Sequence, residues 1–249
     1  MSRNMDVKRK ADAKNGTWNP ESTYKLNPKP GSRNTEQLHA LLLGILLSKH
    51  FNLYIDSLTT GWKKDKSRKL LKSEWQIKDT SSVLQTLDYI MNEGDRTVYN
   101  IMLPHFLSSD CKEGRKKLLK DRYLAVELLI RYSDNLSDCI ACIPDDSLFL
   151  IRKEELQKGI LAWDMCQLVT TSRIAFDAGY LTEKEAWKYI LSAFEICRNE
   201  FDGWEGIFKS IFIGSGMKMG KIKWFGTSLN LATDLLNDSQ SPFSTGCFK

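Results

Sequence analysis

The chain has 249 residues, 42% hydrophobic and 27% charged, which excludes wholesale disorder and leaves room for one large domain or two small ones. Its formal net charge of +5 invites a nucleic-acid reading, yet residues 1–33 hold eight basic side chains against three acidic ones. Subtracting these from 36 and 31 leaves 28 of each, so the body is neutral and the excess belongs to the tail.

Residues 1–33 are polar, carry Pro20, Pro28 and Pro30, and lack periodicity; they predict a flexible basic arm that Trp18 and Tyr24 could pin to the surface. No apolar h-region precedes the arm, so a secretory signal is not expected. Helical patterning begins after Asn34-Thr35, an N-cap signal with Glu36 in the first turn. Apolar residues from Leu38 to about Ile55 recur on most faces, which predicts a central buried helix. Its apolar run, Leu38 to Leu47, is about half of what a bilayer span needs.

Residues 62–74 are basic and predict a solvated helix leading to Trp75-Gln76-Ile77. Asp79 or Thr80 then caps a helix with Val83, Leu84, Leu87, Ile90 and Met91 on one face, and Gly94 supplies its left-handed stop. Tyr99 to Phe106 predicts another helix, interrupted near Pro104. Lys116 to Tyr132 alternates basic and aliphatic residues at helical spacing, and Ser133 to Leu150 is the least regular part of the body.

Residues 152–178 read as one long helix with Leu156, Ile160, Trp163, Leu168 and Ile174 on its stripe, ended by Gly179-Tyr180. Thr182 and Glu185 form a capping box that opens the next helix through Trp187 and Phe194. Shorter helices over Trp204 to Phe212 and Thr227 to Leu236 flank a glycine-rich, hairpin-like stretch from Gly214 to Gly226. The expected fold is all-α: one multi-helix orthogonal bundle over residues 34–249 behind the arm.

Motifs for chemistry are scarce. Cys139 and Cys142 have the spacing of half a zinc site, but His105, Cys111 and Cys166 share no motif spacing with them, so no metal and no cofactor is expected. Six cysteines spread over this length read as reduced, packed thiols of a cytoplasmic protein, although delivery into another cell is compatible with the sequence. Nucleophile elbows and phosphate loops are absent, and Gly214-Ser-Gly216 with Lys218 and Lys221 reads as a basic surface turn. Basic runs at Lys63–Lys72 and Arg115–Arg122 read as solvated helix faces.

The informative feature is a polar residue inside apolar sequence. Asp164 follows Trp163 within the long helix, where an unpaired carboxylate would be costly, so it needs a partner; Arg96, just past the Gly94 turn, suits a bidentate pair. That pair reads as a buried fastening of helix register, or as part of a cleft that also gathers Glu185, Tyr180 and His105, with Trp163 and Trp187 beside it.

Trp75-Gln-Ile77, Leu87-Asp-Tyr-Ile-Met-Asn-Glu-Gly-Asp-Arg96, Ala162-Trp163-Asp164, Ala178-Gly179-Tyr180, Glu183-Lys-Glu185-Ala186-Trp187 and Phe201-Asp-Gly-Trp204 through Gly214 fall in one order. Over about residues 40–220 that order resembles bacterial domain-of-unknown-function family 1266. The resemblance implies a helical bacterial protein and carries no established reaction. The family usually has an arginine three residues after the tryptophan–aspartate pair; here the position is Gln167, and Arg173 two turns on could replace it only with a different geometry.

Three readings follow. The first is a protein-interaction module whose partner is another protein, by analogy an effector, immunity or accessory protein in competition between bacteria. The second is a hydrolase-like or phosphoryl-transfer enzyme using a cleft with Arg96, Asp164 and Glu185. The third, nucleic-acid binding through the arm, is the weakest; a membrane partner is not expected.

Overall fold

The computed structural model describes residues 24–29, 31–124, 126–220, 222–238, 241 and 243. Among these residues it is an all-α multi-helix bundle without a strand. In chain order the helices are α1 (Thr35–Leu42), α2 (Ile45–Phe51), α3 (Lys64–Trp75), α4 (Thr80–Asn92), α5 (Arg96–Leu107), α6 (Lys112–Arg122), α7 (Glu127–Ile140), α8 (Lys153–Lys158), α9 (Leu161–Asp177), α10 (Glu183–Glu200), α11 (Trp204–Met219) and α12 (Ile222–Asn237).

The hub is α9. Every residue from Ala162 to Ala175 is buried, and α2, α3, α4, α10 and α11 pack around it. A helix covered on all sides cannot be amphipathic, and the sequence is accordingly mostly apolar or small all round, with Asp164, Gln167 and Arg173 as its large buried polar residues. The expected central helix at 38–55 is instead two short ones, α1 and α2, broken at Leu43–Gly44, where a side chain larger than glycine would crowd Thr170 and Val169 of α9.

Local signals set several boundaries as expected. The Asn34 side chain accepts from Gln37 N, Asp79 caps α4 by accepting from Ser82 N, and Thr182 with Glu185 closes the capping box of α10. Other expectations are corrected. Residues 152–178 form two helices, because Gly159 takes φ +83 between α8 and α9. Asp164 therefore lies in the first turn of α9, and α10 rather than α9 is the longer helix. Pro104 does not interrupt α5: it and Asn100, whose carbonyl loses its helical donor, are both exposed, so water can serve that carbonyl. The segment 116–132 divides at Tyr123, which is extended, and the irregular stretch begins only after Ile140.

In the glycine-rich stretch, residues 214–219 and 222–226 are helical, and Gly220 takes φ +54. Gly214 and Gly216 serve close helix packing: a Cβ at 214 would overlap the Trp163 ring, and one at 216 would crowd Cys139 of α7. Cys139 is buried there and Cys142 is exposed; burial pushes the Cys139 thiol up to about 11. Arg115 is likewise not part of a solvated face. It is buried, donating to Ser133 Oγ (3.1 Å) and Ser109 O (3.0 Å) with Phe106 beneath it.

Part of the expected arm belongs to the body. Tyr24 is buried in the core, Asn27 N donates to Asp56 Oδ1 (2.8 Å), and Ile55 N donates to Lys25 O (3.1 Å). Residues 1–23, including Trp18, lie outside the described residues. No helix among the described residues is long and apolar enough to cross a membrane.

Candidate functional site

The site is built on the turn between α4 and α5. Glu93 N and Gly94 N both donate to Tyr89 O (2.8 and 2.9 Å), and Gly94 at φ +64 reverses the chain. Glycine is required twice over here, since a Cβ would meet both a left-handed backbone and the Asp164 carboxylate. The next residues open α5 and leave its first N–H groups without helical acceptors.

Asp164 satisfies them from another helix. Its carboxylate, fully buried, accepts from Asp95 N (2.8 Å), Arg96 N (3.2 Å) and Arg96 Nη1 (2.8 Å). It is thus an N-cap of α5 supplied by α9, with its charge at the positive end of the α5 dipole. The guanidinium contact differs from the expected bidentate pair: only Nη1 reaches Asp164, because Nη1 also donates to Ile90 O (3.1 Å) and Nη2 to Met91 O (2.7 Å), closing the end of α4. Burial pushes the Asp164 carboxyl up to about 6, with the neighbouring Asp95 charge adding to the rise, while Arg96 and the backbone donors pull it down.

Asp95 turns away from its own helix. Its carboxylate accepts from Trp163 Nε1 (2.9 Å), Gln167 Nε2 (2.8 Å) and Lys218 Nζ (2.8 and 2.9 Å). Lys218 Nζ also lies 3.4 Å from Gln167 Oε1. One turn therefore ties α4, α5, α9 and α11 together through two carboxylates and two cations. Above it opens a cleft of about 340 Å³, lined by Gly94, Asp95, Gln167 and Lys218 at one end and by Trp75, Gln85, Thr86, Tyr89 and Ile90 along its walls. Tyr89 is 47% exposed and donates to Gly94 O (3.2 Å).

Of the residues expected at a site, Asp164, Arg96 and Trp163 come together. Glu185 does not join them, since its carboxylate is held by Thr182 N (2.8 Å) and Thr182 Oγ1 (2.7 Å), bonds that draw it below the usual carboxylate range. Tyr180 lies beyond the far end of α9, about 20 Å along the helix from Asp164, beneath Arg68. Trp187 donates to Glu183 on α10 (3.4 Å). His105 is buried on α5 against Tyr123, its Nε2 3.3 Å from the phenol oxygen; burial and the nearby Arg122 lower its pKa.

Arg173 does not replace the arginine missing at 167. It points to the loop of residues 52–60, whereas the cation beside Gln167 is Lys218. In the sequence Gln167 stands out only as the place of the family's arginine, and Asp95 and Lys218 do not stand out as site residues; no spacing could have paired those two, which are 123 residues apart. Among the described residues, no group of three or more His, Cys, Asp or Glu side chains is placed to hold a metal ion.

No curated protein and no solved structure matches the chain. The model of a family described as protein of unknown function (DUF1266) matches residues 70–246, which include the Gly94 turn, Asp164 and Lys218, and the chain belongs to that family.

Proposed function

We propose that the chain is a protein-interaction module that receives its partner in the cleft above Asp95. The observation that carries this reading is how fully the charged floor is occupied from within. Asp164 accepts three hydrogen bonds and Asp95 is fixed by Trp163 Nε1 and Gln167 Nε2 of α9, so the floor acts as a rigid brace with Lys218 at its exposed edge, while exposed Tyr89 and Gln85 with half-buried Trp75 form the accessible walls. Rigid aromatic walls over a braced floor suit docking, because little side-chain freedom is lost on binding.

The hydrolase-like or phosphoryl-transfer reading has less support. It needs Arg96, Asp164 and Glu185 around one substrate, and Glu185 is engaged at the start of α10. The narrower form of the interaction reading, an effector, immunity or accessory role in competition between bacteria, rests on analogy with other helical bacterial proteins.

The test is co-purification with the intact chain carrying Gln85→Arg and Tyr89→Ala together, two exposed positions that leave the core alone. A partner recovered stoichiometrically with the unaltered chain should be lost from this variant and kept by Lys117→Glu on α6. A partner that survives the cleft change defeats the reading.

A further inference from the structure

We propose that the cleft receives a cationic side chain of the partner, an arginine or a lysine, and that Lys218 is its internal stand-in. The inference rests on the docking role proposed above and names what is docked.

Asp95 is fixed from the protein side by two neutral donors, Trp163 Nε1 and Gln167 Nε2, both on α9. Its side chain remains 16% exposed, and the face it turns outward is met by a single ammonium, Lys218 Nζ, within 2.9 Å of both oxygens. Lys218 belongs to the last turn of α11, and its side chain is 37% exposed. An ammonium so exposed holds a carboxylate weakly and can swing into water at little cost.

The charge balance selects the sign of the occupant. Arg96 and Asp164 cancel, so moving Lys218 aside leaves one negative charge at the end of the cleft. An anionic ligand would face that carboxylate, whereas a guanidinium matches it with a planar fork for two oxygens. The walls favour the same class. Tyr89, held by its hydroxyl to Gly94 O, and Trp75 line the cleft, and aromatic faces attract a cation that carboxylates alone would leave partly hydrated. The amides of Gln85 and Gln167 offer further acceptors.

The test uses N-acetyl-arginine amide and its uncharged citrulline counterpart, titrated into the intact chain and followed by NMR. The unaltered chain should bind the arginine probe weakly and in preference to citrulline. Lys218→Gln vacates the carboxylate and should tighten arginine binding by roughly fivefold, with no gain for citrulline. Asp95→Asn should remove the preference, and Tyr89→Leu should weaken arginine binding by roughly threefold.

If Asp95→Asn fails to fold, Lys218→Gln and Tyr89→Leu carry the test, because both alter side chains that reach solvent. Equal binding of the two probes by folded Lys218→Gln overturns the inference, as does weaker arginine binding by that variant. Should the partner depend on the cleft while the probes stay indistinguishable, the docking reading stands and this one falls. Arginine binding by a chain whose partner ignores the Gln85 and Tyr89 changes gives the converse.

Discussion

Two buried charges lie on α9 nine positions apart, and they are satisfied in opposite ways. Asp164 meets one guanidinium and two backbone N–H groups, and the turn it holds carries a second carboxylate out to a cleft. Arg173 is enclosed by acceptors: Ser48 Oγ (2.9 Å), the carbonyls of Ser57 (2.8 Å), Leu58 (3.4 Å) and Thr59 (3.5 Å), and that of Tyr54. Among the described residues no carboxylate bonds it directly; Asp177 and Asp56 lie near enough to support its charge, and burial brings its pKa down to about 10. Arg173 therefore stays ionised at neutral pH and fastens the loop of residues 52–60 to the hub. A buried charge alone does not mark a functional site. What separates the two is that one network reaches the surface and the other ends inside.

The comparison can be broken by measuring what each end is worth. Arg173→Ala should cost the most, about 4 kcal/mol in chemical denaturation, because several buried loop carbonyls lose their donor at once. Gly94→Ala should follow at about 3 kcal/mol, combining left-handed strain with the overlap on Asp164. Asp164→Asn keeps the shape but turns an amide toward donors, and about 2 kcal/mol is expected at pH 7. Should Asp164→Asn cost more than Arg173→Ala, the view of Arg173 as the stronger fastening is wrong. Lys218→Gln should change stability by under about 1 kcal/mol, since that pair is open to solvent.

A pH series sharpens the contrast further. The Asp164 carboxyl is raised in the folded chain to about 6 from an ordinary 3.8. Between those values the folded state holds a proton that the unfolded state has released, so this group's contribution to stability grows as pH falls from about 6 towards 4. It is smallest above pH 6. Relative to Asp164→Asn, the unaltered chain should gain unfolding free energy on acidification through that window. An Arg173→Met variant should show the same gain, because Arg173 does not titrate there. A flat difference between the chain and Asp164→Asn across pH 4–7 would mean that Asp164 does not titrate with a raised pKa.

The sequence made the local half of this architecture readable. Asp79, Thr182 with Glu185, and Gly94 announce their roles within four residues, because caps and left-handed turns are short-range devices. The pairing of Asp164 with Arg96 was legible for a different reason: a carboxylate among apolar residues demands a partner. The remainder of the site was hidden. Asp95 and Lys218 look like ordinary surface charges beside a turn and a glycine run, and only the fold brings them within 2.9 Å. Gly214 misled for the same reason, since a glycine that admits a neighbouring tryptophan looks, in sequence, like one that bends a loop.

That contact between Gly214 and the Trp163 ring joins the hub's packing to its recognition surface. Any enlargement at 214 has to be answered by a smaller residue at 163, and the indole whose nitrogen steadies Asp95 would go with it. The two positions are thus able to drift only as a couple, and a change made deep in the interior would silently retune what the mouth of the groove accepts.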